Sequence, residues 1–271
     1  MSRGSLTCVG LGMMLGAHLS PRSRAYIEQA DVVFVLVSDP LVELWVQEMR
    51  PDMRSLQPYY GDGTVSGKPR RESYREMINA MLAEVSAGRR VCGIFYGHPG
   101  VFALVPHQAI AEARQAGHDA VMEPGISAED CLYADLGIDP GSVGCQHFEA
   151  GQFVTHIRNV DPAAYLVLWQ IAVVGDQTTR RFEIGSAYRE LLVDVLEKSG
   201  YPRDHEVIVY EAATLPIGSP RMDRIYLRDL AQTELRLQTT LVVPPSQPLQ
   251  RNQAILDRIA ELDQAVGLQP S

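Results

Sequence analysis

Apolar positions along this chain gather into short runs that alternate with stretches of helical spacing. Leu6-Thr-Cys-Val-Gly10 opens as a strand, and Val32 to Val37 is a continuous apolar run of the kind buried on both faces of a sheet. Between them, Ser20-Pro21 predicts a capped helix start with proline in the first turn, continuing over Ala25–Ala30. Asp39-Pro40 ends the second strand, and Leu41–Met49 reads as a helix. Met77, Ile78, Met81, Leu82 and Val85 share one helical face, with Tyr74 in the first turn and Gly88 as the stop. Val91 to Phe95 is a strand, His107–Ala116 a helix closed by Gly117, and Ala120–Glu123 a strand. Ser127 then caps a short helix ending at Gly137.

This alternation specifies an α/β fold with a mostly parallel sheet. Residues 139–163 look loop-rich, and the change of domain is expected within about 125–150. Alternation then resumes with a strand at Tyr165–Ile171, a helix at Ala187–Lys198, a strand at Glu206–Glu211 and a last strand at Thr239–Val243. From Pro248 onward a polar linker carries one short helix, with Ala254, Ile255, Ile259 and Leu262 on a face expected to dock on a partner or on the body. The predicted division is 1–125, 126–246 and 247–271.

Two sharp elbows interrupt the first half. Gly97-His98-Pro99-Gly100 follows the Val91–Phe95 strand, and Pro124-Gly125-Ile126-Ser127 follows Ala120–Glu123. Glycine admits close backbone approach, and Pro99 fixes its own φ and biases His98 away from helix. Elbows at the carboxyl ends of strands are where open α/β sheets bind small molecules, although an ordinary strand-to-helix turn has the same composition. Gly10-x-Gly12-x-x-x-Gly16 imitates a dinucleotide-binding turn, but the third glycine is off by one position and Asp39 lies far along. Gln57 to Pro69 is glycine-rich and reads as flexible, and it leads into Arg70-Arg71-Glu72-Ser73-Tyr74. Tyr74 is either the first core residue of its helix or a hydroxyl facing the same space as Tyr60 and Arg70. His98 is equally open, as a structural histidine or a working one.

Composition narrows the function classes. The 271 residues are 46% hydrophobic and 21% charged, with 33 acids against 24 bases and a net charge of −9. That balance argues against a nucleic-acid partner held mainly through phosphates. The Met-Ser-Arg-Gly-Ser-Leu start passes straight into a strand, so no signal peptide is expected. No apolar stretch approaches the ~20 residues needed to span a bilayer, so no membrane partner is expected. Cys8, Cys92, Cys131 and Cys145 are scattered without zinc spacing, which points to a reducing cytoplasm and to no metal site.

The start Gly-Ser-Leu-Thr-Cys-Val-Gly-Leu-Gly, the elbow Tyr96-Gly-His-Pro-Gly-Val-Phe102 and Glu123-Pro-Gly-Ile-Ser-Ala-Glu-Asp130 resemble the tetrapyrrole-methylase superfamily. Tyr59-Tyr60 followed by Arg-x-x-x-Tyr, "SAEDCLYADLGIDP", "LVLWQ" and "TTLVVPP" resemble, within it, the borosin peptide α-N-methyltransferases. The similarity runs from about residue 4 to about residue 245. It implies a two-domain fold with S-adenosylmethionine in the inter-domain cleft, a homodimer, and methyl transfer to backbone amides. Carried across, the active-site residues are Tyr60, Arg70 and Tyr74. The donor contacts are Tyr96, His98, Val101, Ser127, Ala128, Gln170, Ala212, Thr239 and Thr240. The loop between Tyr60 and Arg70 is longer than in fungal members, so Arg71 competes with Arg70, which is preferred because it keeps four positions to Tyr74.

The end of this sequence, Leu-Gln-Pro-Ser after a polar helix, lacks a Val/Ile-rich segment. It resembles the split bacterial members, which act on a separate precursor with an apolar C-terminal core, in an expected heterotetramer. A precorrin-like tetrapyrrole methylase is the alternative within the superfamily.

The chemistry explains the residue types. A peptide nitrogen shares its lone pair with the carbonyl, so it is a poor nucleophile and a very weak acid. A tyrosine near the N–H can take the proton, and an arginine lowers a neighbouring phenol's pKa and favours charge on the carbonyl oxygen. On that basis Tyr74 is the leading base, Arg70 the electrostatic stabiliser and Tyr60 a hydrogen-bond positioner.

Overall fold

The computed structural model describes residues 3–37, 39–61, 68–178, 181 and 184–266. Residues 62–67 of the glycine-rich stretch, and the end of the chain from 267, lie outside the described residues.

The first half contains β1 (Ser5–Gly10), α1 (Pro21–Gln29), β2 (Val32–Leu36), α2 (Pro40–Met49), β3 (Arg54–Ser55), α3 (Arg70–Ser86), β4 (Arg90–Phe95), α4 (Leu104–Gln115) and β5 (Asp119–Met122). Its strands form one parallel sheet in the order β3-β2-β4-β1-β5. Side chains alternate across a strand, and β2 shows why its run is apolar throughout. Val32 and Phe34 pack with Met77, Ile78 and Met81 of α3 on one face. Val33 and Val35 pack with Ile27 of α1 and Val46 of α2 on the other. Each such buried side chain contributes roughly 1.5–3 kcal/mol.

The second half runs through α5 (Ala128–Leu136), α6 (Pro140–Val143), β6 (Cys145–Glu149), α7 (Ala150–Thr155), β7 (Tyr165–Trp169), α8 (Ser186–Lys198), β8 (Glu206–Glu211), β9 (Arg221–Tyr226), β10 (Thr240–Val243) and α9 (Gln253–Ala265). Its sheet has the order β6-β7-β10-β8-β9, with β6 and β7 parallel and the other pairs antiparallel. Leu166 and Leu168 face Phe153 of α7 and Leu192 of α8, while Val167 and Trp169 face Leu132 of α5. The fold is therefore α/β with two sheets and a C-terminal helix.

Several expectations need correction. The stretch 139–163 is not mainly loop, because it holds α6, β6 and α7. Cys-Gln-His-Phe-Glu has no apolar block, and its strand state comes from full-length pairing with β7. The polar Arg-Met-Asp-Arg-Ile-Tyr of β9 is likewise a strand through its six-residue pairing with β8, at a sheet edge where charge is normal. Helix α4 starts at Leu104, three residues before His107. The face of α9 is not docked on the body, since Ile255, Ile259 and Leu262 are all exposed. No helix among the described residues is long and apolar enough to cross a membrane.

Candidate active site

Strands β4, β1 and β5 lie side by side, so the turns that leave them meet. Gly12 and Gly97 exchange two backbone hydrogen bonds, of 3.1 and 3.0 Å. A Cβ on Gly10 would stand 2.2 Å from the Gly97 carbonyl oxygen, and one on Gly125 would stand 2.6 Å from the same oxygen and 3.1 Å from the Gly10 Cα. Only bare backbone fits at this junction. The early glycine pattern thus packs against the two elbows. It does not open a helix, because α1 begins only at Pro21, and the Leu15 amide instead bonds to the Thr214 carbonyl of the second half at 2.9 Å.

Against this junction lies a cavity of about 120 Å3, walled by Met13, Val101, Phe102, Trp169, Tyr210 and Leu237, with polar groups from His98, Ser127, Gln170, Thr214 and Gln238. Mostly apolar walls with a few polar groups are typical of small-molecule sites. Two of its residues, Phe102 at φ 50° and Gln170 at φ 60°, are the non-glycine positive-φ residues of the described chain. Such a conformation costs on the order of 1–3 kcal/mol and persists at sites where a side chain must be aimed. Phe102 meets Trp169 with ring centroids 5.4 Å apart, and the indole N–H donates to His147 Nδ1 at 3.2 Å.

The expected donor residues divide into two groups. Tyr96, His98, Val101, Ser127, Ala128, Gln170 and Ala212 all line this cavity. Thr239 and Thr240 do not. They are buried behind the wall, where the Thr239 hydroxyl donates to Glu211 Oε1 at 2.7 Å, and Leu237 and Gln238 reach the cavity instead.

The polar roles also change. His98 Nδ1 accepts the Gly100 N–H at 2.9 Å, so its ring braces the elbow and the neutral imidazole carries its proton on Nε2. Ser127 forms a capping box with Asp130, its amide donating at 2.6 Å and its hydroxyl at 2.8 Å. The Asp130 carboxylate thus occupies that helix start, taking both the Ser127 N–H and its hydroxyl. Met13, Phe102, Trp169, Tyr210, Thr214, Leu237 and Gln238 were not singled out from the sequence as site residues; Phe102 and Trp169 stood inside its motifs, and the others had no signal.

The cavity opens into a cleft of about 1540 Å3 between the two sheets, and Tyr60, Arg70, Arg71, Tyr74 and Tyr96 all line it. Tyr60 and Tyr74 meet edge to face with centroids 6.1 Å apart. Burial pushes the Tyr60 phenol well above its usual pKa, the Tyr74 phenol pushes it further, and Arg70 opposes this only in part. The expectation that arginine lowers the neighbouring phenol therefore holds in direction for Tyr60 but is outweighed by desolvation. Tyr96 is 55% exposed yet has protein on most sides, and its phenol too is raised, by desolvation and then by Tyr74.

Arg70 spans the cleft. Its Nη1 donates to the Arg181 carbonyl at 2.7 Å, and its Nη2 lies 3.7 Å from Asp176 Oδ2. Burial alone would raise the Asp176 pKa, but hydrogen bonds from Thr178 and Arg181, together with the Arg70 charge, hold it below the usual carboxylate range. Arg71 is exposed.

The sequence model described as Tetrapyrrole (Corrin/Porphyrin) Methylases matches residues 5–218. The chain is 41% identical over 250 residues to a methyltransferase/ribosomally synthesized type I borosin cyclic peptide precursor of Mycena rosella, covering 90% of this chain and 61% of that protein. It is 37% identical over 260 residues to the methyltransferase/ribosomally synthesized cyclic peptide gymnopeptides precursor of Gymnopus fusipes, covering 94% and 61%. The chain thus spans about three-fifths of the length of these relatives, whose names join methyltransferase and precursor in one protein; the expected split type has no counterpart among them. Uroporphyrin-III-C-methyltransferase from Thermus thermophilus superposes with a TM-score of 0.63 at 19% identity, covering 90% of this chain and 95% of that one. A cobalt precorrin-4 methyltransferase superposes at 0.62 with 17% identity, covering 89% and 94%. These two structures share the fold.

Proposed function

This chain belongs to the tetrapyrrole (corrin/porphyrin) methylases, and from that membership we propose that its cleft methylates backbone amide nitrogens of a peptide, with S-adenosylmethionine as donor. The observation that carries the reading is the grouping of Tyr60, Arg70 and Tyr74 on one cleft that opens onto the strained, glycine-pinned cavity. The names of the relatives, which pair a methyltransferase with a peptide precursor, support the substrate class.

The cavity's chemistry suits the donor. Trp169, Phe102 and Tyr96 offer aromatic faces to a sulfonium cation and to a planar base, and His98, Gln170, Thr214 and Gln238 offer polar atoms. Bound there, the donor supplies an already activated methyl group. The protein's task is to orient the peptide and move one proton.

Tyr60, with its raised pKa, stays protonated and acts as a hydrogen-bond donor that positions the peptide. That leaves Tyr74 as the base for the amide proton. Arg70 favours negative charge on the adjoining carbonyl oxygen as the proton leaves. Holding the peptide against this trio supplies the orientation that a weak nucleophile needs.

The peptide is proposed to come from a separate precursor and to be methylated in trans. The test is substitution. Tyr74→Phe and Arg70→Ala should each lower turnover at least ~100-fold, typical of a lost acid–base or electrostatic group, with S-adenosylhomocysteine binding retained. Near wild-type turnover in both variants would remove the mechanism.

A further inference from the structure

Glu211 is the last residue of β8, and its side chain is 7% exposed. A buried carboxylate needs partners, and this one gathers four. Its Oε1 accepts from Arg221 Nη1 at 3.0 Å and from the Thr239 hydroxyl at 2.7 Å. Its Oε2 accepts from Arg236 Nη1 at 3.4 Å and Gln238 Nε2 at 3.5 Å.

Three of the four belong to the short segment 236–239. That segment is closed on itself as well, since the Arg236 N–H donates to Thr239 Oγ1 at 2.7 Å and the Thr239 N–H to the Arg236 carbonyl at 2.9 Å. Arg221 ties in the same stretch from the other side, through the Glu234 carbonyl at 2.9 Å. The middle of the segment, Leu237 and Gln238, forms part of the cavity wall, and Ala212, next to Glu211 in the chain, forms another part.

From this geometry we infer that Glu211 is a positioning residue for the donor cavity, acting through Thr239 to hold Leu237 and Gln238 against the ligand. The inference rests on the donor reading of that cavity. It gives Thr239 a role without ligand contact, as the hydroxyl that relays the carboxylate's hold to the wall. Glutamine at position 211 would keep the size but present an amide N–H2 to groups that are themselves donors.

The experiment measures S-adenosylhomocysteine binding by calorimetry for wild type, Glu211→Gln, Thr239→Val and Thr239→Ser. Hydrogen exchange of the 235–239 amides and the KM for peptide are measured alongside. Glu211→Gln and Thr239→Val should each weaken binding by roughly tenfold, the effect of about 1.4 kcal/mol. Both should speed exchange in 235–239 and leave the peptide KM within twofold, while Thr239→Ser, which keeps the hydroxyl, should restore binding.

Wild-type affinity in both Glu211→Gln and Thr239→Val would overturn the anchor and leave the donor reading intact. Equal loss in Thr239→Ser and Thr239→Val would also overturn it, since the hydroxyl would then not matter. Failure of the wild type to bind would instead remove the donor reading, and the anchor with it.

Discussion

Asp176→Asn isolates the hold that the second half of the chain has on Arg70. The Asp176 side chain is 1% exposed and accepts the Thr178 N–H at 2.9 Å, the Thr178 hydroxyl at 2.6 Å and the Arg181 N–H at 3.1 Å. Asparagine keeps a single acceptor oxygen, so it can hold either the two Thr178 bonds made to Oδ1 or the Arg181 bond made to Oδ2, and the change removes the charge together with the other contact. At 3.7 Å and an effective dielectric of about 20, the gross attraction to Arg70 is about 4.5 kcal/mol. A neutral amide loses less solvation on burial than a carboxylate does, and the 2.7 Å bond from Arg70 to the Arg181 carbonyl does not involve position 176, so the net loss falls to roughly 1.5–3 kcal/mol. If that loss is felt as a misplaced guanidinium, kcat falls about 10- to 100-fold.

The pH dependence has a definite sign. The carboxyl titrates below its ordinary value of 3.8 in the fold, so the ionised pair is complete above that value and is lost only as pH falls through the lower folded pKa. The deficit of Asp176→Asn should therefore be flat from about pH 5 upward. Single-turnover methylation of a peptide by wild type and variant, followed by mass spectrometry across pH, measures it. Turnover within threefold of wild type, or a deficit that grows only at alkaline pH, would refute the claim that this acid sets Arg70.

Other expectations follow from contacts already described. Gly125→Ala places a methyl 2.6 Å from the Gly97 carbonyl, and since both partners are backbone it should cost about 1–3 kcal/mol or more, read as a lowered thermal midpoint together with weakened donor binding. Asp31 takes hydrogen bonds from the Arg90 side chain and amide, which lower its pKa to about 2. An NMR titration should find it still ionised at pH values where other exposed aspartates are half protonated. Its contribution to stability is present above the ordinary value of 3.8 and disappears as pH drops toward 2.

The middle of the parallel sheet was legible because β2 and β4 are apolar on both faces, whereas β3, the two residues Arg54-Ser55, became strand only through pairing with β2 and had no signal. Strands β6 and β9 were not, because polar residues such as Gln146 and Asp223 become strand only through their neighbours, β7 and β8. In the site, residues carried on motifs (Tyr60, Arg70, Tyr74, Tyr96, Gln170) share one cleft. Asp176 carried no signal, since its tie to Arg70 joins residues more than a hundred positions apart. Thr239 shows the reverse case, a motif residue next to the lining residue Gln238 but outside the lining itself. Its position beside the cavity is real, but its hydroxyl is spent on Glu211.

The most direct test is transfer of isotope-labelled methyl from S-adenosylmethionine to a candidate precursor peptide, with the modified atom located by fragmentation. The account predicts label on backbone nitrogens with wild type and at least ~100-fold less with Tyr74→Phe. Unlabelled amides, with label appearing instead on an added porphyrinoid, would contradict it.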